Sequence, residues 1–181
     1  LNQNKTLNNN DQNFIENLAS RYSLSFNNRH KIDIINDLFL SLDIIPNSIV
    51  LAQAANESGW GTSRFAKEFN ALFGEYTFDT KNGVAPASRN DGEKHLIKFF
   101  PTINESVRSY FNNLNTHSAY KKFRTTRKQL RKFNLKLDPM ILVKDLKPYA
   151  KDTNYVKTIK SIIKTNKLDQ LDSLAIITTK S

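Results

Sequence analysis

The chain has 181 residues, 39% of them hydrophobic and 24% charged, which is the balance of one folded domain with its own core. Five Gly and five Pro argue against a loop-rich or all-β protein, and no apolar run approaches the roughly 20 residues that a bilayer-spanning helix needs. The net charge of +10 is concentrated: residues 1–119 hold 11 Lys/Arg against 12 Asp/Glu, whereas residues 120–167 hold 15 Lys/Arg against three Asp. Such a block attracts anionic envelope polymers or nucleic acid, or is simply a solvated lysine-rich surface. The absence of cysteine excludes disulfides and says nothing of compartment.

Residues 1–12, LNQNKTLNNNDQ, are polar and Asn-rich and are expected to form a flexible arm. The chain begins at Leu1 with neither Met nor a signal-like segment, so a trimmed or mature form is expected. A domain over residues 13–168 then follows. Residues 13–20 carry a short helical pattern, and residues 28–42 a second one with Ile32, Ile35, Phe39 and Leu42 as its apolar face.

Residues 42–66, LDIIPNSIVLAQAANESGWGTSRFA, are the most informative. Pro46 to Ser48 suit a helix start, and Gly59 and Gly61 suit its end. Val50, Ala54 and Glu57, spaced four and three apart, fall on one stripe, which puts a carboxylate on the apolar side of its helix. Burial and the negative end of the helix dipole both push a carboxyl pKa upward there, as a general acid working near neutral pH requires. A protonated carboxyl beside an aromatic such as Trp60 is the acid half of a glycoside-cleaving site. The plainer alternative is a solvated Glu57 paired with Arg64.

Thr62 or Ser63 can cap a short helix that buries Phe65 and Phe69. Residues 75–84, EYTFDTKNGV, read as a strand with Asn82-Gly83 as a turn signal, and residues 95–100, HLIKFF, as its return. Val107, Tyr110, Phe111 and Leu114 form the buried face of a further helix. Residues 120–133 form a basic amphipathic helix with Phe123, Leu130 and Phe133 inward, and His117 is expected to cap a helix. Asp138-Pro139 starts another segment, broken by Pro148. Asp152 or Thr153 caps a last helix that buries Tyr155, Ile159, Ile162 and Ile163. The tail, residues 169–181, is poorly patterned and expected to be mobile. No P-loop, dinucleotide-binding glycine motif, CxxC or HExxH occurs, so no cofactor and no metal are expected.

The run VLAQAANESGWGTSRFAKEFNALFG, residues 50–74, resembles the catalytic core of the Bax-like proteins of the bacterial endo-β-N-acetylglucosaminidase family (glycoside hydrolase family 73), which also includes flagellar muramidases and autolysins. The resemblance implies a mainly α (α+β), lysozyme-like domain in which a small β-hairpin forms one wall of the substrate groove. Peptidoglycan glycan strands are then the implied substrate and partner, Glu57 the matching acid, and the periplasm or cell envelope the location.

Weaker echoes continue to about residue 167. Residues 70–74, NALFG, match the family's entry to the hairpin except that Ala71 stands where Asn is common. Residues 149–155, YAKDTNY, match a family segment with Lys151 and Thr153 as departures, and Tyr149 takes the position of a functionally important Tyr. In Bax relatives a second carboxylate is expected just after His95, but Leu96 stands there. Glu75 is the first choice in its stead, with Asp79 and Glu93 nearby, and an internal attack by the sugar's acetamido carbonyl needs no protein partner at all.

Glu57, Tyr149 and Glu75 are accordingly the expected catalytic residues, and Trp60, Asn70, Phe73, Tyr76 and Tyr155 the expected sugar contacts. The expected activity is cleavage of the β-1,4 bond after N-acetylglucosamine by a monomer. It contacts anionic envelope polymers at most peripherally, and nucleic acid is not an expected partner. A wall-binding module with a degenerate site, and a basic nucleic-acid-binding domain, are the alternatives.

Overall fold

The long stretch with a carboxylate on its apolar stripe does form a helix, and the chain folds around it. In the computed structural model, which describes residues 8–25, 29–86 and 95–174, the first helices are α1 (Asn9–Arg21), α2 (Lys31–Ser41), α3 (Asn47–Ser58) and α4 (Arg64–Phe69). Three short strands follow, β1 (Tyr76–Thr77), β2 (Gly83–Val84) and β3 (Leu96–Lys98). The rest is α5 (Ile103–Thr116), α6 (Lys121–Lys132), α7 (Pro139–Leu142) and α8 (Tyr155–Thr165). Short 3-10 segments lie at Ser118–Tyr120, Val143–Tyr149 and Leu168–Ser173.

Ile45, Ile49 and Ala52 of the α3 region bury against Tyr110, Leu114, Phe123, Leu146, Ile159 and Ile163, so α3 is wrapped by α5, α6 and α8. A smaller cluster, Ala19 with Ile34 and Leu38, joins α1 to α2. At its end α3 turns through three consecutive left-handed residues, Gly59, Trp60 and Gly61. At its start Pro46 offers no side-chain cap. The missing partner comes from the far end of the chain: Asp172 accepts from the Ser48 backbone N–H and from its hydroxyl, each at 2.7 Å. Thus residues 169–174 of the expected tail, as far as Ser173, form a 3-10 segment against α3, while residues 175–181 lie outside the described residues. At the other terminus, residues 9–12 of the expected arm belong to α1, capped by Asn8.

The fold is mainly helical with a small sheet, and the sheet has three strands. Both β1 and β2 pair antiparallel with β3, in the order β1-β3-β2. The chain reverses at Asp79–Asn82, where Asp79 accepts from the Lys81 N–H and Thr77 donates to Asn82. Gly83 therefore lies in β2 and not in a turn. A Cβ there would come within 2.6 Å of Leu96, so the glycine permits the close approach of the strands.

Two apolar faces differ from expectation. In α2 the buried residues are Ile34, Leu38 and Ser41, whereas Ile32 and Phe39 are exposed. Both registers satisfy a helical period, because this helix is apolar nearly all round. In α6, Phe123 and Leu130 point inward but Phe133 is exposed, and two arginines are buried instead. Arg124 donates to the carbonyls of Leu114 and His117 at the end of α5, each at 2.9 Å. Arg127, 1% exposed, donates to the carbonyl of Leu40 in the last turn of α2 and to those of Asp43 and Ile44 just after it, at 2.8, 3.2 and 3.1 Å. Burial depresses its pKa to about 10 despite Asp43 nearby. These guanidinium groups satisfy helix-end carbonyls that lack intrahelical partners.

Arg127→Met should therefore cost about 3 kcal/mol, lowering the melting temperature by roughly 6–12 °C, because it strands three carbonyls, whereas Asp43 keeps Arg131. Arg131→Met, on the exposed partner of Asp43, should cost about 1 kcal/mol or less. Equal losses in thermal denaturation would contradict this assignment.

Candidate active site

A cleft of about 750 Å3 opens between the end of α3, the start of the sheet and the 3-10 segment that ends at Tyr149. Glu57, Phe73, Gly74, Glu75, Tyr76, His95, Asn113, His117, Tyr120, Pro148, Tyr149, Ala150 and Lys151 line it. Glu57 reaches it from the last turn of α3. Gly74, at φ +60°, brings backbone beside it: a Cβ on Gly74 would lie 3.5 Å from Glu57 Oε2. The left-handed turn thus carries the chain past one carboxylate and delivers the next, Glu75, to the same cleft.

The two carboxyls differ in their partners. Burial raises the Glu57 pKa; a hydrogen bond from the Asn56 amide, at 3.2 Å, and the neighbouring Tyr155 hydroxyl only partly offset it. Arg64, the alternative partner, is engaged elsewhere, lying over Phe65 and Phe69 and 4.0 Å from Glu68. Burial also raises the Glu75 pKa. Its Oε2 accepts from Ser109 at 2.9 Å, and Ser109 accepts from the Lys98 ammonium at 2.9 Å, while its buried Oε1 has no protein partner. Lys98 is in β3 and Ser109 in α5, so the sheet and the helix together hold this acid.

Phenols crowd the back of the cleft. Tyr149 donates to the Phe73 carbonyl at 2.8 Å, which leaves only lone pairs on its oxygen to present outward. Its ring stacks on Tyr155, 5.7 Å between centroids and 4° from parallel. Phe73, 2% exposed, stacks on Tyr110 at 4.1 Å, so it forms the cleft floor more than a sugar platform. Burial, and then the charges of Glu75 and Glu57, push the Tyr120 phenol up to about 12. Tyr76, 65% exposed, packs on His95 at 4.5 Å on the sheet side.

Of the expected residues, then, Glu57, Glu75, Tyr149, Phe73 and Tyr76 line one cleft. Trp60, Asn70 and Tyr155 do not line it. Trp60 projects, 62% exposed, beyond the end of α3. Asn70 ends α4 in a left-handed conformation and donates to the carbonyls of Phe100 and Pro101 at 3.0 and 3.2 Å, tying two loops together. Tyr155, 3% exposed, lies behind the cleft against Glu57. Asp79 is spent on its turn, and Glu93 lies outside the described residues. His117 accepts from the Ala119 N–H at 3.2 Å, capping the 3-10 segment after α5.

Sequence reasoning missed Ser109 and Lys98, which carry no motif, and Gln53. The last stands one turn before Glu57 on the same stripe, a spacing that was readable. Among the described residues no cluster of His, Asp or Glu could hold a metal ion.

Comparisons with known proteins agree with this architecture. A family model described as glucosaminidase, mannosyl-glycoprotein endo-beta-N-acetylglucosaminidase, matches residues 33–168. Protein bax of Escherichia coli is 37% identical over 136 residues, which is 75% of this chain and 48% of that protein, so the chain spans about half its length. The crystal structure of the catalytic domain of the autolysin Auto from Listeria monocytogenes superposes with a TM-score of 0.51 at 19% identity, covering 94% of this chain and 92% of that one. That likeness is one of fold.

Because both carboxyl pKa values are raised above the ordinary 4.5, the native state favours their protonated forms. That stability is complete below the unfolded pKa and is lost as pH rises through the folded one. Glu57→Gln and Glu75→Gln should each melt roughly 1–3 °C above the wild type at pH 7, the advantage shrinking towards pH 4. Lower melting at pH 7 in both would contradict the desolvation of this cleft.

Proposed function

Since the chain belongs to the glucosaminidase family over residues 33–168, we propose that it is a glycoside hydrolase that cleaves the β-1,4 bond after N-acetylglucosamine in peptidoglycan. The observation that carries this reading is the meeting of Glu57 and Glu75 in one cleft, on either side of Gly74, with Glu57 kept partly dry. Glu57 is the general acid, giving its proton to the departing glycosidic oxygen. Glu75 takes a proton from the water that attacks the anomeric carbon, so the bond that breaks and the bond that forms each have a carboxyl partner. The Lys98–Ser109 chain supports an ionised Glu75 through a hydrogen bond to Oε2.

Tyr149 suits the sugar between them. With its proton held on the Phe73 carbonyl, its oxygen can accept from an acetamido N–H or face the positive charge that develops on the ring. Tyr76 offers an exposed aromatic face on the sheet side, and Trp60 one beyond the end of α3, both suited to the apolar faces of a longer glycan.

The basic block does not require nucleic acid. Lys122, Arg124, Arg127 and Arg131, four of the seven cations of α6, are engaged within the chain. Peptidoglycan as substrate agrees with an extracytoplasmic site of action, in the periplasm or envelope.

Incubation of purified cell wall should release new reducing ends with the wild type. Glu57→Gln should lower the rate by a factor of about 10²–10⁴, the usual worth of a general acid. Equal release by both proteins would remove Glu57 from the chemistry. No release by either, with both sedimenting with the wall, would make this a binding module. Glu75→Gln should lose a similar factor, and full activity there would pass the role to the substrate's own acetamido carbonyl.

A further inference from the structure

Behind the cleft lies a buried polar chain that the proposed chemistry has not yet used. Gln53 is fully buried in α3, one turn before Glu57 on the same side of the helix. The Tyr110 hydroxyl donates to Gln53 Oε1 at 2.6 Å, and Gln53 Nε2 donates to the Tyr155 oxygen at 2.6 Å. Tyr110 is itself completely buried and stacked on Phe73. Tyr155 stands at the first position of α8, its ring held parallel against Tyr149.

An amide has a direction. Its carbonyl can only accept and its NH2 can only donate, whereas a phenol can do either. Tyr110 presents its proton to the carbonyl side, so the NH2 side must face Tyr155. The Tyr155 oxygen therefore receives a hydrogen bond, and its own proton is turned away from Gln53. Glu57, one turn beyond Gln53 on the same face of α3, is the carboxylate that neighbours the Tyr155 hydroxyl. A leucine of similar size at position 53 would pack as well but would leave two buried hydroxyls free to rotate, so the amide contributes orientation and not only volume.

We propose that Gln53 is a positioning residue for Glu57: held by Tyr110, it fixes the Tyr155 hydroxyl as a donor to the carboxylate, and so sets both the rotamer and the proton affinity of the acid. The inference rests on Glu57 being the acid of the reaction, but the geometry can be tested without turnover. The relay opposes the desolvation of Glu57. Burial alone makes the carboxyl harder to ionise, and the directed Tyr155 proton returns part of the lost hydration, so the carboxylate left by each proton transfer is stabilised.

The Glu57 side-chain carboxyl is titrated by carbon NMR in the wild type, in Gln53→Met, which keeps the length but loses both hydrogen bonds, in Tyr155→Phe, and in the double variant. The midpoint should rise in both single variants, and the double variant should show no further rise beyond Tyr155→Phe. In wall digestion the alkaline limb of the rate profile should move to higher pH in the same variants. Near-ultraviolet circular dichroism checks their packing, and if Gln53→Met does not fold, Tyr155→Phe decides alone. An unchanged midpoint in Tyr155→Phe, or additive shifts in the double variant, would overturn the relay. A wild type that titrates as described but releases no reducing ends would overturn the proposed activity and leave the relay standing.

Discussion

A carboxyl group held partly out of water in the last turn of α3 is the constraint on which the other features depend. A helix end already disfavours an anion, and burial adds to the cost. The chain tolerates this because α3 is anchored from several directions: by the Asp172 carboxylate at its start, by α8 along its flank, and by the left-handed run Gly59–Gly61 at its end. The stability given up by burying Glu57 and Glu75 comes back from ordinary apolar packing around Ile49, Ala52, Leu114 and Ile159.

The sheet matters chiefly for what it delivers. Gly74 passes Glu57 closely enough that a side chain there would touch it, and Glu75 follows at once. β3 then supplies Lys98, and α5 supplies Ser109, so the second acid is fixed from two elements that are distant in sequence. The two carboxyls thus acquire different hydrogen-bond partners, a neutral phenol and amide for one and an ammonium-polarised hydroxyl for the other. In the proposed mechanism those different partners suit this pair of like residues to separate acid and base roles.

Much of the fold was legible because its signals are local. Pro46, Gly59 and the run of apolar residues between them define α3, and Asp138-Pro139 and Ser63 mark helix starts that the structure contains. The stripe containing Val50, Ala54 and Glu57 was readable for the same reason. What failed to read is set by tertiary choice. In α2, Ile32 and Phe39, seven apart, fit a helical period as well as Ile34 and Leu38, four apart, and only packing against Ala19 of α1 selects the second pair. Arg127 reads as surface charge until the carbonyls of Leu40, Asp43 and Ile44 are placed around it. Ser109 and Lys98 have no meaning before β3 and α5 are brought to Glu75. Gln53 reads as an ordinary polar helix residue until two tyrosines from α5 and α8 close on it.

The most direct test is a crystal structure of the Glu57→Gln protein with a bound oligosaccharide of alternating N-acetylglucosamine and N-acetylmuramic acid. The account predicts that the glycan lies between the Tyr76 wall and Tyr149, with a glycosidic oxygen about 3 Å from the amide at position 57 and the anomeric carbon facing Glu75. A glycan bound on the lysine-rich surface of α6, or one whose glycosidic oxygens all lie out of reach of position 57, would contradict it.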